Sequence, residues 1–348
     1  MNIDLLKKTA KEMVAAGKGL LAADESSSTC QKRFDAVGVE CTEETRRAYR
    51  QLLIMAPNLE RYVSGIILYD ETIRQNNDAG LNLAAALAKR GILPGIKVDG
   101  GLEDLALHPG EKVTKGLDGL RERFVEYKKY GAMFAKWRAT YTIGQNLPTK
   151  GAIHANAHAM ARYAALCQEA DIVPIVEPEV LIDGEHSIEQ SYEATVAAQK
   201  ALFDELQGQD VMLEGVILKA SMVISGKKAT KQSRPQEVAE MTIKCLKEAV
   251  PANLAGVVFL SGGQGDEQAT ANLDAMNKIG LPAQAGGTPW PLSFSYSRAI
   301  QNPVLKIWSQ DTKGNIEKAQ QALVYRAQMN SLAAEGKYAS DLETKRPY

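Results

Sequence analysis

The chain has 348 residues, 45% of them hydrophobic, enough for a sizeable core in one large domain or two ordinary ones. Its 41 basic and 42 acidic residues nearly cancel, so no whole-chain field favours nucleic acid or an anionic membrane, and any basic site must be local. No window approaches the roughly 18 to 20 continuous apolar residues of a membrane-crossing helix, and the opening MNIDLLKKTAKEMVAAGKG has no apolar signal core, so a cytoplasmic protein is expected.

Along the chain, short β-type runs recur at 20–24, 65–69, 95–99, 132–138, 172–177, 215–219, 256–261 and 292–296. Helical stretches separate them, among them 154–170, 187–206 and one opened by Ser233, where Gln236 three residues on offers a capping box. No Pro/Gly/Ser linker or charge block divides the sequence, which predicts a single domain over 1–348 with a polar, mobile tail at 336–348. Alternating β and α units predict a parallel sheet with helices outside, and eight of them point to a closed (β/α)8 TIM barrel, an α/β fold with additional terminal helices. A doubly wound open sheet is the alternative. Cys30, Cys41, Cys167 and Cys245 are scattered without CxxC spacing, as expected of reduced thiols.

Charge falls at or near the C-terminal ends of six runs: Asp24, Lys97 with Asp99, Lys136 with Arg138, Glu177 with Glu179, Lys219, and Arg298 just past the eighth. Side chains alternate faces along a strand, so Lys97 and Asp99 share one face and Lys136 and Arg138 share another. In a barrel these groups converge at the C-terminal mouth, where such enzymes keep their active sites. Any one of them read alone is equally well a solvated loop residue; the set, mixed in sign, can pair within one cavity.

Lys219 ends the run Glu-Gly-Val-Ile-Leu-Lys and sits on an apolar stem. Desolvation and nearby cations free an amine to attack a carbonyl, whereas a lysine that reaches to solvent does no such chemistry. From the residues alone the two readings are even. Glu177-Pro178-Glu179 sets two carboxylates on one wall, and environments that titrate them apart leave one as an acid and the other charged. Ser261-Gly262-Gly263 after the seventh run and Arg298 after the eighth match the places where barrels often bind phosphate. No GxxxxGK[ST] or GxGxxG loop is present. His154 and His158 lie four apart with no HExxH or third ligand, so no metal site is expected.

These segments resemble class I fructose-bisphosphate aldolase, the Schiff-base type. The matching stretches are LAADESSSTCQKR (21–33), TEETRRAYRQLL (42–53), GIKVD (95–99), FAKWR (134–138), VPIVEPE (173–179), LEGVILK (213–219), FLSGGQ (259–264) and LSFSYSRA (292–299). They run in family order across nearly the whole chain.

The resemblance implies that Lys219 forms the imine, Glu177 exchanges protons during carbinolamine dehydration and Asp24 takes the proton from the hydroxyl beside the scissile bond. It implies that Lys136 and Arg138 orient the substrate, that Glu179 and Lys97 complete the ionic network, and that the terminal Tyr348 assists proton exchange. One phosphate is expected at Ser261, Gly262, Gly263, Ser295 and Arg298, the other at Ser26, Arg33 and Arg46. The implied substrate is a phosphosugar, with no cofactor and no metal, no nucleic-acid or membrane partner, and assembly as a homotetramer or homodimer.

Departures from the family pattern stand at Gly100, at Ala220-Ser221 after the nucleophile, and at Ser297, where the family has glycine. A serine at 297 either crowds the phosphate or offers it a hydroxyl. The competing functions are a Schiff-base aldolase of a related sugar such as sedoheptulose bisphosphate, transaldolase-like or deoxyribose-phosphate aldolase-like chemistry, and a non-catalytic barrel scaffold.

Overall fold

A computed structural model describes residues 1–280 and 287–348. Its frame is a closed barrel of eight parallel strands: β1 (Gly19–Ala23), β2 (Val63–Leu68), β3 (Leu93–Lys97), β4 (Phe134–Tyr141), β5 (Val173–Val180), β6 (Ile217–Ala220), β7 (Gly256–Phe259) and β8 (Leu292–Tyr296). Each strand pairs with its successor, and β8 closes on β1 through Leu20 opposite Ser295 and Leu21 opposite Tyr296. A (β/α)8 barrel is therefore the fold, and the open-sheet alternative is set aside. Helices such as Lys150–Glu169 and Ile188–Gly208 surround it. A small antiparallel hairpin, Leu102–Asp104 with Lys112–Thr114, follows β3.

The barrel interior is filled from the bottom by apolar side chains: Leu20, Ala22, Ile67, Phe134, Val173, Ile175, Ile217 and Val258 form one buried cluster. Leu6, Ala10, Met13 and Val14, on and just after the first helix (Ile3–Met13), belong to the same cluster and close the N-terminal end. Glycine makes room for the largest of these groups. A Cβ on Gly95 would collide with the Phe134 ring, and one on Gly65 would lie 2.8 Å from the same ring. The inward positions one layer higher then have only the C-terminal mouth to face.

The helix starts divide by chemistry. Ser187 caps Ile188–Gly208 in a capping box with Gln190, as its sequence position suggests. The Ser233–Gln236 box does not form. That helix begins at Pro235, whose fixed φ suits a first helical position, and Glu237 accepts the Arg234 N–H at 2.9 Å. The Ser233 hydroxyl instead accepts the Ser225 N–H.

The C-terminal tail, expected to be mobile from its polar composition, lies docked beside the helix Ile316–Ala334. Arg326 of that helix is fully buried and binds Glu343 at 2.7 Å, the Tyr325 hydroxyl donates to the Leu342 carbonyl, and Tyr338 is buried. Among the described residues no helix is long and apolar enough to cross a membrane.

Candidate active site

Strand alternation delivers the charged layer. Lys136 and Arg138 are two apart on β4, Glu177 and Glu179 two apart on β5, and Lys219 stands next to the end of β6. Asp24 lies one residue past β1, and Lys97 ends β3 with Asp99 just beyond. All of them line one cavity of about 1030 Å³ at the C-terminal mouth, together with Ser26, Arg33, Ser261, Gly262, Ser295 and Arg298. Seven cationic side chains (Lys32, Arg33, Lys97, Lys136, Arg138, Lys219, Arg298) face five carboxylates (Asp24, Glu25, Asp99, Glu177, Glu179) on its wall. The excess of positive charge is local, in a chain whose net charge is −1.

At the centre the ion pairs form a continuous chain. Lys219 Nζ lies 3.0 Å from Glu177 Oε1, Glu177 Oε2 lies 3.2 Å from Lys136 Nζ, and Lys136 Nζ lies 2.7 Å from Asp24 Oδ2. All four side chains are buried. Burial alone would raise the Asp24 and Glu177 carboxyls; for Asp24 the charges of Lys136 and Lys219 overcome it, and for Glu177 those of Lys136, Lys219 and Arg138 do, so both are held below the ordinary carboxylate range. Burial pulls the Lys136 ammonium down, but Asp24, Glu177 and Asp99 outweigh it and hold its proton more firmly than usual. Arg138 pairs with Glu179, and Lys97 Nζ sits 2.6 Å from Asp99 Oδ1.

Two groups of donors flank this centre. On one side Gly262 and Gly263 adopt positive φ of 58° and 95°, which turns the loop after β7 tightly and brings its backbone close to Arg298. Gly262 lines the cavity; Gly263 lies just outside it, where a Cβ would sit 3.4 Å from Arg298 Nη2. Ser295 Oγ is buried on the wall with no partner among the described residues. On the other side Ser26 caps the helix Ser27–Asp35, and Ser28, Thr29, Lys32 and Arg33 line the cavity with it. Arg33 Nη1 pairs with Glu25, while its Nη2 is buried with no partner among the described residues. Ser28, Thr29 and Lys32 escape a reading by strand ends, because they belong to a helix; their spacing from Ser26 and Arg33 at helical period was the available signal.

Two sequence assignments need correction. Arg46 does not reach the cavity, because Nη2 and Nε hold the two oxygens of Glu71 at 2.6 and 2.8 Å. Tyr348 does not line it either: its ring packs edge-on to Tyr325, with centroids 6.0 Å apart, beside the docked tail.

The departures from the family pattern also find explanations. Ser297 lines the cavity, but its hydroxyl donates to Glu25 Oε1 at 2.8 Å and accepts from Gln301 at 3.3 Å, so its proton is engaged in tying the end of β8 to the loop after β1. Ser221 Oγ accepts the Val180 N–H at 2.9 Å and so joins the end of β5 to the segment that follows Lys219. Gly100 bonds the Lys115 carbonyl at 2.7 Å, and a Cβ there would approach that oxygen to 3.2 Å.

The barrel and its ionic mouth define a (β/α)8 enzyme whose buried lysines and carboxylates are poised for proton-transfer chemistry. The family model of class-I fructose-bisphosphate aldolase matches residues 5–347, and the chain belongs to that family of lyases. It is 58% identical over 338 residues, 97% of this chain and 99% of the relative, to a probable fructose-bisphosphate aldolase class 1 of Xanthomonas campestris pv. campestris. It is 47% identical over 335 residues, 96% of this chain and 89% of the relative, to a fructose-bisphosphate aldolase of Plasmodium falciparum. A solved structure of the Plasmodium falciparum aldolase, in complex with TRAP and a small-molecule inhibitor, superposes with a TM-score of 0.93 at 46% identity, covering 97% of this chain and 96% of that one.

Proposed function

We propose that the chain cleaves fructose 1,6-bisphosphate reversibly to dihydroxyacetone phosphate and glyceraldehyde 3-phosphate through a Schiff base on Lys219. The observation that carries this reading is the buried chain from Lys219 through Glu177 and Lys136 to Asp24. A proton passing from the Lys219 ammonium to Glu177 across 3.0 Å leaves a neutral amine and a neutral acid side by side. The amine attacks the C2 ketone. The acid then protonates the carbinolamine hydroxyl, which departs as water.

The protonated imine is the electron sink for the C3–C4 bond. Asp24, held ionised by Lys136, accepts the C4 hydroxyl proton as that bond breaks and the aldehyde leaves. The proton held by Asp24 returns to C3 of the remaining enamine, which restores the carboxylate, and hydrolysis of the imine returns the ketone and the free lysine. Lys136 keeps its charge throughout and holds both carboxylates at their working distances. No step passes through Tyr348.

The two donor groups flanking the centre suit a substrate with a phosphate at each end, which a singly phosphorylated sugar would leave half filled. Cytoplasmic residence and assembly as a homodimer or homotetramer belong to the same proposal.

A coupled assay of fructose 1,6-bisphosphate cleavage after exhaustive chelation tests the reading. Full activity is expected in the parent protein, and a loss of at least about 1,000-fold in Lys219→Ala, since the nucleophile is gone. Activity lost to the chelator and restored by zinc would overturn it.

A further inference from the structure

Eight residues beyond Lys219, the loop that follows β6 places Lys227 at the rim of the mouth. Its backbone is pinned: the N–H groups of Gly226, Lys227 and Lys228 donate to the carbonyls of His186, Ile182 and Gly184 at 2.9, 2.8 and 2.9 Å. Position 226 has to be glycine for this clasp, because a Cβ there would collide with the Gly184 carbonyl. The Lys227 side chain then extends over the loop after β7, where a Cβ on Gly263 would lie 2.7 Å from its Nζ. The same point lies 3.4 Å from Arg298 Nη2.

Two cations therefore converge on one glycine. Among the described residues Lys227 has a single carboxylate near it, Asp183 Oδ1 at 3.3 Å, on a side chain that is 73% exposed, and no ion pair involves Arg298. Among the described residues the two cations have between them one carboxylate, the exposed Asp183, so one positive charge is left over, and a phosphate dianion supplies the charge that balances it.

We infer that Lys227 is a further phosphate-binding residue of the site at Ser261–Gly263, and that it selects a ketose carrying a dianionic phosphate next to its carbonyl. This rests on the function proposed above. The ammonium closes over the phosphate from the side opposite the cavity floor, while Arg298 and the glycine loop hold the remaining oxygens. Asp183 restrains Lys227 when the site is open and gives it up to the phosphate. Because Lys227 and Lys219 share one strand-to-loop segment, anchoring the phosphate also fixes the segment that carries the nucleophile.

Isothermal titration of the full chain with dihydroxyacetone phosphate, inorganic phosphate and unphosphorylated dihydroxyacetone tests this. Lys227→Met is expected to weaken binding of both phosphate-bearing ligands by about 5- to 10-fold, the lower range for a charged contact that water still reaches, with no change for dihydroxyacetone. Lys227→Arg is expected to recover most of the loss. Asp183→Asn, which frees the ammonium, is expected to tighten inorganic phosphate. Unchanged phosphate affinity in Lys227→Met overturns the inference. So does an equal loss for dihydroxyacetone, or a loss of phosphate affinity in Asp183→Asn, either of which marks the ion pair as a mere loop support. The titration with inorganic phosphate needs no chemistry at Lys219, so failure of the imine reading shows separately, as absent cleavage in the parent protein.

Discussion

Lys136 holds two carboxylates at once, and that double duty explains why it stays charged though buried. Removing it leaves Asp24 and Glu177 facing each other without the cation between them, so Lys136→Met is expected to lower stability by about 3–5 kcal/mol, in the range for a broken buried ion pair. Urea unfolding measures it, and a change under about 1 kcal/mol would mean the carboxylates are compensated elsewhere.

Arg298→Ala should weaken dihydroxyacetone phosphate binding by about 10- to 150-fold and spare dihydroxyacetone, if its charge-assisted contact is to phosphate. Ser297→Gly separates two effects that the sequence leaves joined. With the hydroxyl bound to Glu25, the variant should leave phosphate affinity unchanged and cost about 0.5–1.5 kcal/mol of stability; weakened phosphate binding with unchanged stability would contradict that geometry. Residues placed by strand alternation, such as Lys136, Glu177 and Lys219, were legible because the period of two fixes their face. The partner of Arg46 was not, since Glu71 lies 25 residues away and either sign of pairing fits the sequence.

At the level of strands, the barrel depends on what its glycines omit. Phe134 fills the space that a side chain at Gly95 would occupy, and its ring is walled in by buried neighbours, so Gly95→Ala should destabilise by about 1–3 kcal/mol through overpacking. Adding Phe134→Leu should recover part of the loss, and thermal unfolding of the pair distinguishes this from a loss of backbone freedom, which the second change would not repair. The sequence shows the strands but not these contacts, which join residues about forty positions apart.

It also ends two strands too early. Charge resembles a loop boundary, so the pattern places the end of the fourth run at Arg138 and of the fifth at Glu177, yet β4 continues to Tyr141 and β5 to Val180 with those charges facing inward. Helix starts were legible where a serine had no competitor, as at Ser187, and misplaced by one residue where Pro235 set the first turn. The tail illustrates the same limit: its polar residues dock because Arg326, buried in a distant helix, needs Glu343.

Over the whole molecule, the depressed carboxyls of Asp24, Glu177 and Glu343 make stability depend on acid. Their ordinary values are 3.8 for the aspartate and 4.5 for the glutamates, and all are lower in the folded chain. Each contribution is fully present above the unfolded value and is lost as pH falls through the folded one. Unfolding free energy should therefore fall progressively from about pH 5 downward, with a slope approaching 1.4 kcal/mol per pH unit for each group that takes up a proton. Lys136 acts at the opposite end: its contribution is complete below its ordinary 10.5 and fades only as pH rises through its raised folded value. Denaturant melts across this range check both limits, and a flat profile below pH 5 would contradict the ionic chain.

The same chain makes Lys219 the one amine expected to carry substrate, and borohydride reduction in the presence of dihydroxyacetone phosphate reads this directly. Mass spectrometry of the digested protein should find one reduced triose-phosphate unit, on the peptide containing Lys219, and none in Lys219→Ala. The adduct on another lysine, or an unmodified protein under conditions where it cleaves fructose 1,6-bisphosphate, would contradict the assignment.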